Sequence, residues 1–133
     1  MNKFFGTWNL VHSENYHQLL EKLGVDRVGR RMSVTSTQYV EFAQAEDGLI
    51  TMTNHTSLGE NVINFRLGET LEYKDLDGSH IRAVFRSEGD HRLVEEQTRP
   101  NASLLVVREV CDNKMTATIN FMGIKCVRKY ERE

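Results

Sequence analysis

Turn chemistry recurs along this chain every eight to twelve residues, and that spacing limits the fold more than any other feature. Glu46-Asp47-Gly48, Leu58-Gly59-Glu60, Leu67-Gly68, Asp77-Gly78, Glu88-Gly89-Asp90, Asp112-Asn113 and Gly123 supply residues suited to tight turns. The intervals between them suit single short strands. Short strands joined by tight turns pair neighbour with neighbour, so the pattern predicts a mainly-β antiparallel meander, hence a barrel or a sandwich. The single proline, Pro100, falls in Arg99-Pro100-Asn101-Ala102-Ser103, which reads as a loop.

One segment departs from this rhythm. From Ser13 to about Val34 the apolar residues Tyr16, Leu19, Leu20 and Leu23 follow helical spacing. Ser13 is the expected N-cap, with Glu14 near the positive end of the helix dipole. Gly24 ends this helix, and Asp26 is placed to cap a second one running through Val28 and Met32. The plan is therefore one strand, a helix-turn-helix, then about nine strands. Closed barrels of that size enclose a ligand cavity, and a two-helix insert after the first strand would cover one mouth.

At 133 residues and 15.4 kDa the chain makes one domain, residues 1–133, large enough to bury a core. Its 17 basic and 19 acidic residues exclude the basic balance of a general nucleic-acid binder. No apolar run approaches the ~18 residues of a membrane-spanning helix. The opening Met1-Asn2-Lys3-Phe4-Phe5-Gly6-Thr7-Trp8 turns polar too soon for a secretory signal, so a cytoplasmic protein is expected. Cys111 and Cys126 then read as reduced thiols, with a disulfide between them as the alternative. Asn54-His55-Thr56 and Asn101-Ala102-Ser103 match the glycosylation pattern, and in that compartment they read as chance matches. The five histidines show no metal-site spacing. There is no Cys-x-x-Cys, phosphate-binding glycine loop or nucleophile elbow. No enzyme activity, catalytic residue, metal or cofactor is expected.

Arginine enters two late strands where apolar residues belong. In Lys125-Cys126-Val127-Arg128-Lys129-Tyr130-Glu131, alternation puts Cys126, Arg128 and Tyr130 on one face and Lys125, Lys129 and Glu131 on the other. The face with fewer charges should be buried, yet it carries Arg128. Leu104, Val106, Arg108 and Val110 repeat the pattern one hairpin earlier. A buried guanidinium costs several kcal/mol unless an anion or good acceptors meet it, so the pair implies a socket for a carboxylate. Residues alone leave the opposite parity open, with both arginines in solvent.

Several segments resemble the intracellular fatty acid-binding proteins. Gly6-Thr7-Trp8-Asn9-Leu10-Val11, Glu14-Asn15-Tyr16 and Leu23-Gly24-Val25 are similar to the opening of that family. Phe65-Arg66-Leu67-Gly68-Glu69 resembles its mid-chain segment. Val107-Arg108-Glu109 and Cys126-Val127-Arg128-Lys129-Tyr130-Glu131 resemble its two head-group segments. The likeness covers the whole chain in order; the opening motif and the closing Arg-x-Tyr are specific only together. It implies a ten-stranded up-and-down β-clam barrel with a helix-turn-helix lid between the first two strands. The implied protein is a monomeric carrier of long-chain fatty acid or a similar amphipathic acid, with a retinoid acid as the alternative ligand. By resemblance Arg108, Arg128 and Tyr130 hold the carboxylate. Val25, Gly29, Met32, Leu58, Leu76 and Asp77 frame the portal, and Tyr16, Leu20, Gln97, Val106, Ala117 and Ile119 form cavity walls.

The chain departs from the family pattern at four of these places. His17 replaces an acidic residue of the first helix, Leu58 replaces a portal phenylalanine, and Ser79 aligns with a portal arginine. Ala117 is small where relatives carry Leu or Val, which implies a roomier cavity. Lys22, Arg27, Arg30 and Arg31 slightly outnumber Glu14, Glu21 and Asp26, so the lid has a modest basic face. Transient contact with an anionic membrane through that face, or the role of a membrane-associating structural lipid-binding protein, is the competing reading, against a plain solvated surface.

Overall fold

A computed structural model describes residues 1–25, 38–56, 59–74, 78–100 and 102–133. After a short 3-10 turn at Asn2–Phe4 come β1 (Gly6–Glu14), α1 (Tyr16–Lys22), β2 (Tyr39–Glu46), β3 (Leu49–Thr56), β4 (Gly59–Phe65) and β5 (Thr70–Lys74). They are followed by β6 (His80–Glu88), β7 (Arg92–Thr98), β8 (Ser103–Cys111), β9 (Lys114–Phe121) and β10 (Ile124–Arg132). The ten strands form one antiparallel sheet in the order β4-β3-β2-β1-β10-β9-β8-β7-β6-β5. β1 pairs with β10, so the sheet curls into a nearly closed up-and-down barrel whose two ends are β4 and β5. Stacked rings of Phe65 and Phe85, centroids 3.9 Å apart, link β4 to β6 across that end.

Turn residues act as their chemistry predicts. The β9–β10 hairpin turns on Met122 and Gly123, both at positive φ (48° and 82°), the geometry whose twist matches the flanking strands. Glycine accepts it freely, whereas Met122 adopts it at some cost and leaves its side chain exposed.

The described part of the lid is one α-helix between β1 and β2. Its N-cap is Asn15, at φ 61°, and not Ser13; Ser13 and Glu14 complete β1. A bulge in the β1–β10 ladder between Leu10 and His12 explains the difference. The extra residue, Val11, shifts the alternation by one, so the inward series runs Trp8, Leu10, Ser13. The helix breaks at Gly24, φ 88°, as expected. The expected second helix, with Asp26, Val28 and Met32, lies outside the described residues.

A core fills one end of the barrel around Phe4, Trp8, Phe42, Phe65 and Phe85. Trp8 is fully buried; its Nε1 donates to the Phe4 carbonyl at 2.8 Å, and the Arg132 guanidinium lies 4.1 Å from its ring centroid. A second cluster, including Leu19, Leu104, Val106, Ala117 and Phe121, sits under α1. Cys111 is exposed, Cys126 is buried, and both are free thiols, so the alternative of a disulfide does not hold.

Candidate ligand-binding cavity

Between the two clusters the barrel encloses a cavity of about 220 Å³. The inward parity inferred for the late strands is the one observed: Arg128 keeps 4% of its surface and Arg108 9%. Register explains their closeness. Ala117 on β9 pairs with Arg128 on β10 and with Arg108 on β8, so the arginines flank one small residue. Two strand spacings of ~5 Å put their backbones roughly 10 Å apart.

Their electrostatic situations differ. Arg108 already has a carboxylate: its Nη1 donates to Glu95 Oε1 at 2.8 Å, with side chains 10% and 2% exposed. Glu95 also accepts from Gln97 Nε2, and Gln97 Oε1 accepts from Arg99 Nη1 at 2.9 Å. Arg128 meets only neutral groups among the described residues. It donates to Tyr130 Oη at 3.3 Å, to Ser13 Oγ at 3.2 Å and to Gln38 Oε1 at 2.5 Å. Its guanidinium also lies 3.6 Å from the ring centroid of Tyr16, the first residue of α1. Burial opposes its charge, but Tyr130 and Tyr16 beside it hold its pKa above the usual arginine value. The Cys126 thiol, two residues away, is pushed up to about 11 by burial, with Arg128 pulling the other way.

Of the residues expected at the site, Tyr16, Leu20, Val25, Gln97, Val106, Arg108, Ala117, Ile119, Arg128 and Tyr130 all line this cavity. Gly29, Met32, Leu58, Leu76 and Asp77 lie outside the described residues, as do Arg27, Arg30 and Arg31 of the basic lid face. The two glycosylation patterns gain nothing: Asn54 lines the cavity, and Asn101 is outside the described residues.

Sequence reasoning missed Glu95, Gln38 and Ser13. Glu95 carried a signal: Leu93, Glu95 and Gln97 share one face of β7, so placing Gln97 in the wall places Glu95 there too. Gln38 and Ser13 carried none, because one precedes β2 and the other depends on the β1 bulge.

A nearly closed barrel around a polar-ended cavity, with the Arg128 guanidinium buried against no carboxylate among the described residues, defines a class: a β-barrel built around an internal ligand site. The chain belongs to the lipocalin / cytosolic fatty-acid binding protein family, whose model matches residues 5–133. It is 32% identical over 132 residues to the fatty acid-binding protein type 3 of Fasciola hepatica, covering 99% of each chain. It is 30% identical to the cellular retinoic acid-binding protein 1 of Gallus gallus, covering both chains fully. Among solved structures it is similar to the Schistosoma mansoni fatty acid binding protein in complex with arachidonic acid. The TM-score is 0.92 at 28% identity, covering 100% of this chain and 98% of that one.

Proposed function

We propose that this protein is a cytoplasmic, monomeric, non-enzymatic carrier of long-chain fatty acids, with the carboxylate held by Arg128, Tyr130 and Arg108. The observation that carries this reading is the buried Arg128 guanidinium, which has neutral acceptors but no carboxylate among the described residues. A carboxylate there would complete a charge-assisted fork that Tyr130 extends with its hydroxyl proton. Arg108, neutralised by Glu95, contributes its remaining N–H groups on the far side of Ala117. Tyr16, Leu20, Val106, Ala117 and Ile119 are the walls along which the tail would run.

Affinity comes mainly from the tail. About fourteen methylenes at ~0.8 kcal/mol each offer roughly 11 kcal/mol gross, against about 8 kcal/mol for micromolar binding. The difference covers ligand ordering and lost translational freedom. The arginine selects an acid over an alcohol, because an alcohol would leave it without a counter-charge.

Mass spectrometry of lipid extracted from the purified protein is the direct test. Recovered fatty acid is the expected result; a protein that ignores fatty acids in displacement assays refutes the reading. Similarity to a retinoic acid-binding relative favours one second reading, a retinoid acid held by the same three residues. Displacement of a fluorescent fatty acid by retinoic acid but not by oleate would establish it.

A further inference from the structure

Three and four strands along the sheet from β10, the cavity wall carries two side-chain amides. Val40, Asn54 and Asn61 form one rung across β2, β3 and β4. Residues directly opposite one another share a face, and Val40 is buried. Along their strands Asn54 stands two residues from buried Met52, and Asn61 two from buried Ile63. Both asparagines therefore point inward, and both line the cavity. Asn61 Oδ1 is buried without a hydrogen-bond partner among the described residues. Buried acceptors left unmade are rare because they lose water and regain nothing.

We infer that Asn54 and Asn61 form a second polar subsite that takes a hydroxyl on the ligand tail, making hydroxylated long-chain acids the preferred cargo. This rests on the fatty-acid reading of the cavity. The ligand hydroxyl donates to Asn61 Oδ1 and accepts from the Asn54 amide across the rung. The hydroxyl sits well down the chain from the carboxylate. Four strand spacings of ~4.8 Å give a path of about 19 Å along the wall, shortened by the curvature of the barrel.

Displacement of a fluorescent fatty acid tests the assignment, using oleate and ricinoleate, which is oleate carrying one hydroxyl. A set of hydroxystearates differing in hydroxyl position covers the geometry. The wild-type protein is expected to bind at least one hydroxy acid about threefold to tenfold more tightly than its parent acid. Asn61→Leu and, independently, Asn54→Leu abolish or reverse that preference. Because the readout is a ratio of affinities within one protein, partial loss of folded material in a variant does not affect it. A hydroxy-to-parent ratio that is the same in wild type and both variants overturns the subsite and leaves fatty-acid binding standing. Failure of the wild type to bind oleate and every hydroxy acid overturns the fatty-acid reading, and the subsite with it.

Discussion

Replacing Glu95 with glutamine tests the internal ion pair, because stability and affinity should move in opposite directions. The substitution preserves shape and an acceptor for Arg108 but removes the counter-charge from a contact of 2.8 Å whose members are 2% and 10% exposed. Breaking a buried pair from one side costs about 3–5 kcal/mol, and the retained acceptor favours the low end. A loss of about 3 kcal/mol corresponds to a fall in Tm of about 12 °C for a chain of this size. Among the described residues neither Arg108 nor Arg128 would then face a carboxylate, and a second charge-assisted contact would tighten fatty-acid binding by about tenfold. Arg108→Gln, by contrast, leaves Glu95 as a cavity anion without its cationic partner and should lower both stability and affinity. The double variant removes both charges and should lose no more stability than either single variant, so a double-mutant cycle gives a coupling of about 3 kcal/mol. Urea unfolding of the ligand-free protein and displacement of a fluorescent fatty acid supply the two readouts. A Tm change under about 3 °C for Glu95→Gln, with affinity unchanged or weaker, would refute the assigned electrostatics.

Three further outcomes are expected. Arg128→Gln should weaken fatty-acid binding by about tenfold to a hundredfold in displacement titrations, well beyond what the loss of its bonds to Tyr130, Ser13 and Gln38 takes from the ligand-free protein in urea unfolding. Gly6→Ala should destabilise by more than about 1 kcal/mol in urea unfolding, because its φ is 124° and an added Cβ would stand 2.8 Å from Arg132 Nη1. Cys126 keeps its proton to about pH 11 in the fold but only to about 9 when unfolded, so its contribution is intact below pH 9 and lost as pH rises to about 11. Unfolding free energy should fall by roughly 2 kcal/mol over that window relative to Cys126→Ala, and a thiol reagent at pH 8 should label Cys111 alone in the native protein.

Much of the architecture was legible because turn chemistry and strand alternation are local. Gly48, Gly68 and Gly123 mark turns at positive φ, and the period of two carries Cys126 and Arg128 inward together. What escaped depends on contacts between distant segments. The partner of Arg108 sits on β7, thirteen residues earlier, and parity within β8 says nothing about a carboxylate there. Nor does any residue near Ser13 announce the bulge that turns it from helix cap into a ligand of Arg128. Nothing local in the sequence pairs Asn54 with Asn61; the β3–β4 register sets them on one rung with Val40.

The bond from Arg128 to Ser13 joins residues 115 positions apart, and the one to Gln38 spans 90. The proposed carboxylate socket thus straddles the seam between β1 and β10, with Gln38 added from just before β2, and it would not exist until that seam zips. Local hairpins can form early, but binding competence must await the slowest, most distant pairing. A bound acid would act as a clasp across the β1–β10 seam, so amide exchange there should slow on loading more than in the β6–β7 hairpin. Loss of cargo and loosening of the closure would be the same event.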